Sequence, residues 1–188
     1  MTYTTQDYSR LIDSKHFSEG LLNNHFKLYQ GYVTNVNKII DILKTTELGT
    51  PQHVEVQRRF GWEFNGMRLH EYYFGNMAKE LVPMNTNSKL AKQIITDFGS
   101  VEAWEKDFRA CCAMRGIGWV VLVYDSVGKR LFNTWINEHD VGYFVGTTPI
   151  LVTDVFEHAY FTDFGIDRAA YVNAFMNSID WNVVEKRF

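Results

Sequence analysis

Between Ser18 and Lys44, the residues Leu21, Leu22, His25, Leu28, Tyr32, Val36, Ile39 and Leu43 recur at steps of three and four. That spacing stacks side chains on one face of an α-helix, and its length predicts a single long helix over about 18–44 with Ser18 as its cap. Gly49 and Pro51 break the pattern. A second stripe of Trp62, Gly66, Leu69, His70, Tyr73 and Met77 then runs on toward Pro83. The two segments are predicted to form an antiparallel helical hairpin. Two further amphipathic helices are predicted at 87–98 and 100–115, separated by Gly99, with Ser100 placed to cap the later one.

The pattern then changes to strands. GWVVLVYD (118–125) and RLFNTWI (130–136) flank a turn containing Gly128 and predict a β-hairpin, and PILVTDV (149–155) predicts a third strand after a longer loop. A helix is expected to start at 156–164, to be interrupted by Gly165 and to resume over 168–179, before a terminal turn at 181–188. The fold class is therefore α+β. A long antiparallel helical hairpin (1–85) precedes a C-terminal α/β domain (86–188) whose three-stranded antiparallel sheet is flanked by helices.

The chain's 188 residues are 46% hydrophobic and 22% charged, enough to bury a core without staples. Its net charge of −3 and lack of like-charge blocks argue against nucleic-acid and membrane-surface partners. The opening MTYTTQDYSR has no basic start followed by an apolar run, and no stretch approaches the length of a membrane span, so a cytoplasmic protein with a small-molecule substrate is expected. Cys111 and Cys112, adjacent in a helical pattern, suit neither a disulfide nor a zinc knuckle and read as packing residues.

Chemistry concentrates in a few polar residues on apolar stripes. Of six histidines, His25, His70 and His158 stand on or beside such stripes. Asp154 ends the apolar run ILVTDV, where a carboxylate is costly unless it is paired, hydrogen-bonded or bound to metal. His158 follows four residues later, so a strand passing directly into a helix would turn both side chains toward one point. Three imidazoles and a carboxylate suit a first-row metal such as iron or manganese with a position left open, and zinc is admissible by ligand type alone. HEYYF at 70–74 lacks the second histidine of a zincin, and no paired ExxH motif of a di-iron bundle is present.

With these residues assembled, the chain resembles the iron/manganese superoxide dismutase family along nearly its whole length. DVFEHAYF (154–161) is similar to the family signature DxWEHAYY. HFKLYQGYVTNVN from His25 and NGMRLHEYYFGNM around His70 resemble the segments carrying its first two ligands, and FGSVEAWEKDF, GIGWVVLVYD and IDWNVVEKRF follow in the usual order. The resemblance implies one iron or manganese ion per chain, held by His25, His70, Asp154 and His158, with superoxide as substrate. It implies a homodimer, or a tetramer, in which Glu157 reaches His158 of the second copy. Tyr32 is implied as the phenol beside the substrate path, a role its two-turn spacing from His25 also supports. Trp119 is a retained aromatic of the site. The family places a glutamine or histidine beside the metal-bound solvent, and Gly66 occupies the position from which one branch supplies it, so INEHDVG is expected to supply the group instead, through His139, with its neighbour Glu138 as the alternative.

Departures from the family pattern carry their own expectations. Leu28 and Phe161 replace a gateway pair and predict a more apolar entrance, while Phe74, Phe156 and Val121 rebuild the aromatic cage. Arg168, and less so Lys27, are candidates to draw the anion in. Val152, where manganese members often carry glycine, tilts the expectation toward iron or dual-metal use. The alternatives are a dimeric metal-binding relative without turnover, or a mononuclear iron oxygenase, against which the third histidine counts.

Overall fold

The computed structural model describes residues 2–188. Helix α1 (Glu19–Thr45) opens where Ser18 Oγ accepts the amide of Leu21 at 3.1 Å, and α2 (Pro51–Gly75) opens at Thr50 with Pro51 in its first turn. Such caps satisfy amides that have no partner within the helix and contribute about 1 kcal/mol each. The helices pack against each other as the hairpin that the two stripes predict. On α1 the buried face runs through Tyr29 and Val33, whereas Leu28, read from the sequence as part of the stripe, is 37% exposed. The three-four pattern allows either edge, and packing against α2 selects one.

Ser88 and Ser100 cap α3 (Lys89–Phe98) and α4 (Val101–Cys112), with Gly99 between them at a φ of 89° that a side chain would resist. Strands β1 (Gly118–Asp125), β2 (Arg130–Asn137) and β3 (Thr147–Asp154) form one antiparallel sheet in the order β2-β1-β3. Central β1 buries Trp119 through Val123, and α3 and α4 pack toward the β1–β2 side. Helix α2 lies against β3, which brings the helical pair onto the sheet. In the β1–β3 ladder Trp119 stands directly opposite Asp154.

After β3 the chain departs from expectation. No helix opens at Phe156. The backbone stays extended there, forms a 3-10 turn at Glu157–Ala159, and makes only one helical turn, α5 (Phe161–Phe164), before α6 (Arg168–Met176) and α7 (Trp181–Glu185). Asp154 Oδ1 accepts the Phe156 amide at 2.8 Å, a local side-chain bond that competes with helix initiation. The helix expected to reach 179 ends at Met176, and a few residues on Asp180 N turns back to donate to Asn76 O.

Candidate metal centre

His25 sits early in α1 and His70 late in α2, so antiparallel packing brings the two imidazoles together, their ring centres 5.0 Å apart. Asp154, the last residue of β3, projects between them, and the 3-10 turn carries His158 to the same point. Asp154 Oδ2 lies 3.2 Å from His25 Nε2, 3.7 Å from His70 Nε2 and 3.1 Å from His158 Nε2. One donor atom from each of the four residues falls within 4.8 Å of the other three.

The protonation states suit a cation. His70 Nδ1 donates to the carbonyl of Gly66 at 2.6 Å, which leaves its Nε2 with a lone pair, buried and without a hydrogen-bond partner. Burial pushes the basicity of His25 down and that of His70 well down, disfavouring the protonated form of each ring. Burial works against the Asp154 carboxylate, yet the electrostatic attraction and hydrogen bonds of His158 and His25 outweigh it and hold the group below the usual carboxylate range. A buried carboxylate, three imidazoles and an orphaned nitrogen converging on one space form a donor set that could hold one metal ion.

A second network adjoins the cluster. Trp119 Nε1 donates to His139 Nδ1 at 2.9 Å, and His139 Nε2 lies 2.8 Å from the hydroxyl of Tyr32. An indole N–H can only donate, so Nδ1 accepts, the imidazole proton resides on Nε2, and Tyr32 Oη accepts it. Burial pulls the His139 pKa down to about 4, which keeps the ring neutral at physiological pH, and raises that of the Tyr32 phenol. Glu138, the neighbouring candidate, turns away: its carboxylate accepts Trp62 Nε1 at 3.0 Å. A left-handed backbone at Glu138 (φ 50°) precedes the residue that is sent inward, His139, which is fully buried. Phe156 stacks on both His139 and His158, with ring centres 5.0 and 5.2 Å apart, and Phe74 packs edge-on to His25 at 4.8 Å.

Other sequence candidates lie outside the cluster. Arg168 donates to the carbonyls of Met114, Gly116 and Val155, bracing the lead-in to β1 against the segment beside Asp154. Glu157, Leu28 and Phe161 are exposed. Two residues that sequence reasoning passed over touch the site's framework. Tyr171 Oη donates to the Asp154 carbonyl at 2.5 Å, and Asn76 bonds both main-chain groups of Val152. A polar residue directly after a helical stripe was the available signal for Asn76, and it reads equally well as a helix stop.

A helical pair laid on a three-stranded antiparallel sheet, with a cluster of three histidines and an aspartate, all buried but the half-buried His158, between them, defines an α+β protein with a candidate single-metal site. The family described as "Iron/manganese superoxide dismutases, C-terminal domain" matches residues 86–187. The chain is 35% identical over 178 residues to manganese superoxide dismutase 2 of Haloferax volcanii, covering 92% of this chain and 87% of that one. It is 35% identical to the iron superoxide dismutases of Methanothermobacter thermautotrophicus (90% and 85% covered) and Cupriavidus metallidurans (91% and 88% covered). The chain belongs to the iron/manganese superoxide dismutase family.

Proposed function

We propose that this chain dismutates superoxide at one iron or manganese ion held by His25, His70, Asp154 and His158. The observation that carries this reading is the convergence of those four donors, with His70 Nε2 buried and unpartnered beside Asp154. A bound ion of either metal, alternating between two oxidation states, supplies the electron exchange by which one superoxide becomes oxygen and a second, with two protons, becomes hydrogen peroxide.

The chain's own residues govern orientation and protons. His139 donates Nε2–H to Tyr32, so the Tyr32 hydroxyl proton is left to point elsewhere, toward the reacting space beside His70, whose ring is 5.1 Å from that of Tyr32. The Trp119–His139–Tyr32 line ends at an indole that does not release its proton at physiological pH. His139 therefore orients Tyr32 rather than feeding it, and a proton given up by Tyr32 returns from solvent. The stacked Phe156 and the edge-on Phe74 narrow the space around the ligands and limit water. Because the protein is net negative, local positive charge must attract the anion; Arg168, held rigid by three carbonyls, is favoured for this role over Lys27.

Loading separate samples with iron and with manganese, and assaying superoxide dismutation after metal content is verified, tests the function and its metal. Activity in at least one form is expected, with iron or both metals favoured; full loading without turnover in either form would overturn the reading. His139→Ala is expected to keep its metal and lose roughly 10- to 100-fold in turnover, the usual cost of removing a partner just outside the ligands. Unchanged turnover would remove His139 from the mechanism.

The same reading places two copies against each other around Glu157, so that Glu157 orients His158 of the second copy. Exposed Ile117, Phe161 and Ile166, which line one surface hollow together with Glu157, support this. Among the described residues no helix is long and apolar enough to cross a membrane. The cytoplasm is the proposed location.

A further inference from the structure

β3 pairs with β1 along one side only, so its outer edge would present unpaired backbone groups. Instead, side chains occupy that edge at alternate positions. Arg187 Nη1 donates to Ile150 O at 3.0 Å, Asn76 Nδ2 to Val152 O at 3.3 Å, and Tyr171 Oη to Asp154 O at 2.5 Å. Val152 N in turn donates to Asn76 Oδ1 at 2.9 Å, so the Asn76 amide meets both main-chain groups of Val152 as a neighbouring strand would. Asn76 and Tyr171 are fully buried.

We propose that Asn76 and Tyr171 are positioning residues that set where Asp154 presents its carboxylate to the three imidazoles, an inference that rests on reading Asp154 as a metal ligand. The β1–β3 ladder holds the other edge of the strand: after a skip at Ile150, Leu151 to Asp154 pair in continuous register with Leu122 to Trp119, so the side chains on the outer edge complete a clamp on the segment that ends at Asp154.

Asn76 directly follows α2, six residues beyond His70. It also donates to Tyr73 O at 2.8 Å and accepts Asp180 N at its own carbonyl, tying the helix of one ligand to the strand of another. Tyr171 gives its proton to Asp154 O and so accepts from Tyr73 Oη, 3.2 Å away, whose ring packs 5.3 Å from His25. The edge ladder thereby spans the elements that carry three of the four donors.

The test uses the intact, manganese-loaded chain and reads two quantities besides activity: the rate of metal release to excess chelator, and the visible absorption band of the bound ion. Tyr171→Phe removes only the hydroxyl, and Asn76→Ala removes the strand mimic. Both are expected to release metal roughly 10- to 100-fold faster and to shift the band. Trp104→Phe serves as the structural comparison: it removes the buried indole donor that α4 sends to Asn133, away from the ladder, and should change neither quantity at a matched interval below its melting temperature. Wild-type release and spectrum in Tyr171→Phe, alongside a His70→Ala variant that holds no metal, would overturn the ladder and leave the ligand set standing. A His70→Ala variant that loads like wild type would overturn both. Should Asn76→Ala fail to fold, Tyr171→Phe carries the test by itself.

Discussion

Asp154→Ala is expected to fold, to bind no iron or manganese, and to lose all dismutase activity. The carboxylate is fully buried and its Oδ2 is the atom around which the three imidazole nitrogens gather at 3.1 to 3.7 Å. Loss of an outer partner at metal sites costs about 10- to 100-fold in affinity, and loss of the one anionic ligand should cost more. The metal-free fold also loses by the change. Without an ion, the Asp154 carboxylate hydrogen-bonds His25 at 3.2 Å, His158 at 3.1 Å and the Phe156 amide at 2.8 Å, contacts that outweigh its desolvation cost, and truncation strands these groups at about 1–3 kcal/mol each where they are buried. The melting temperature of the metal-free variant should therefore fall below that of the metal-free wild type. Wild type at metal concentrations roughly 100- to 1,000-fold above its dissociation constant should gain about 3–4 kcal/mol, and the variant nothing. Calorimetry with and without metal, together with elemental analysis, reads all three effects. His53→Ala, on the first turn of α2 and outside the cluster, should retain metal; equal metal content in His53→Ala, His70→Ala and Asp154→Ala would sink the ligand set.

The second large effect concerns a glycine. In an exposed helix interior, Gly→Ala normally stabilises by up to about 1 kcal/mol. At Gly61, where an added Cβ meets nothing within 4 Å, that gain is expected. At Gly66, five residues along the same helix, the added Cβ would sit 2.6 and 2.7 Å from two ring carbons of Tyr32. Overpacking of this kind costs about 1–3 kcal/mol, which exceeds the helical gain, so Gly66→Ala should melt lower by roughly 2–4 °C per kcal/mol of net loss. The ring can only relieve the clash by moving, which draws its hydroxyl from His139; turnover should fall about tenfold or more while metal content is unchanged. A Gly66→Ala variant that gains stability as Gly61→Ala does, with full activity, would show that Tyr32 does not occupy this space. The position that lacks a glutamine thus has its own use: the absent side chain leaves room for the phenol, and its carbonyl holds His70 Nδ1 at 2.6 Å.

Much of the architecture is legible residue by residue. The caps at Ser18 and Ser100, the hairpin of GWVVLVYD and RLFNTWI, and the break at Gly49–Pro51 are local signals, and local backbone chemistry decides them. The four clustered residues could be picked out because a carboxylate and histidines on apolar stripes are expensive unless they share a purpose, a cost that needs no coordinates to recognise. The short-range reading failed at 156–164, where the carboxylate of Asp154 takes the amide of Phe156 and a 3-10 turn replaces the expected helix. It also misjudged Leu28, because a three-four pattern defines a stripe but not which edge of it a partner helix will cover.

The sequence by itself determined the helical pair, the antiparallel sheet and which four polar residues would be drawn together, since periodicity and the cost of burying polar groups are properties of the residues. Tertiary structure alone decided that His139 rather than Glu138 turns inward, that Tyr32 fills the space over Gly66, and that Asn76, Tyr171 and Arg187 complete the edge of β3. Those arrangements depend on side chains that meet across long separations, 107 residues between Tyr32 and His139 and 111 between Asn76 and Arg187, and no local pattern encodes such meetings.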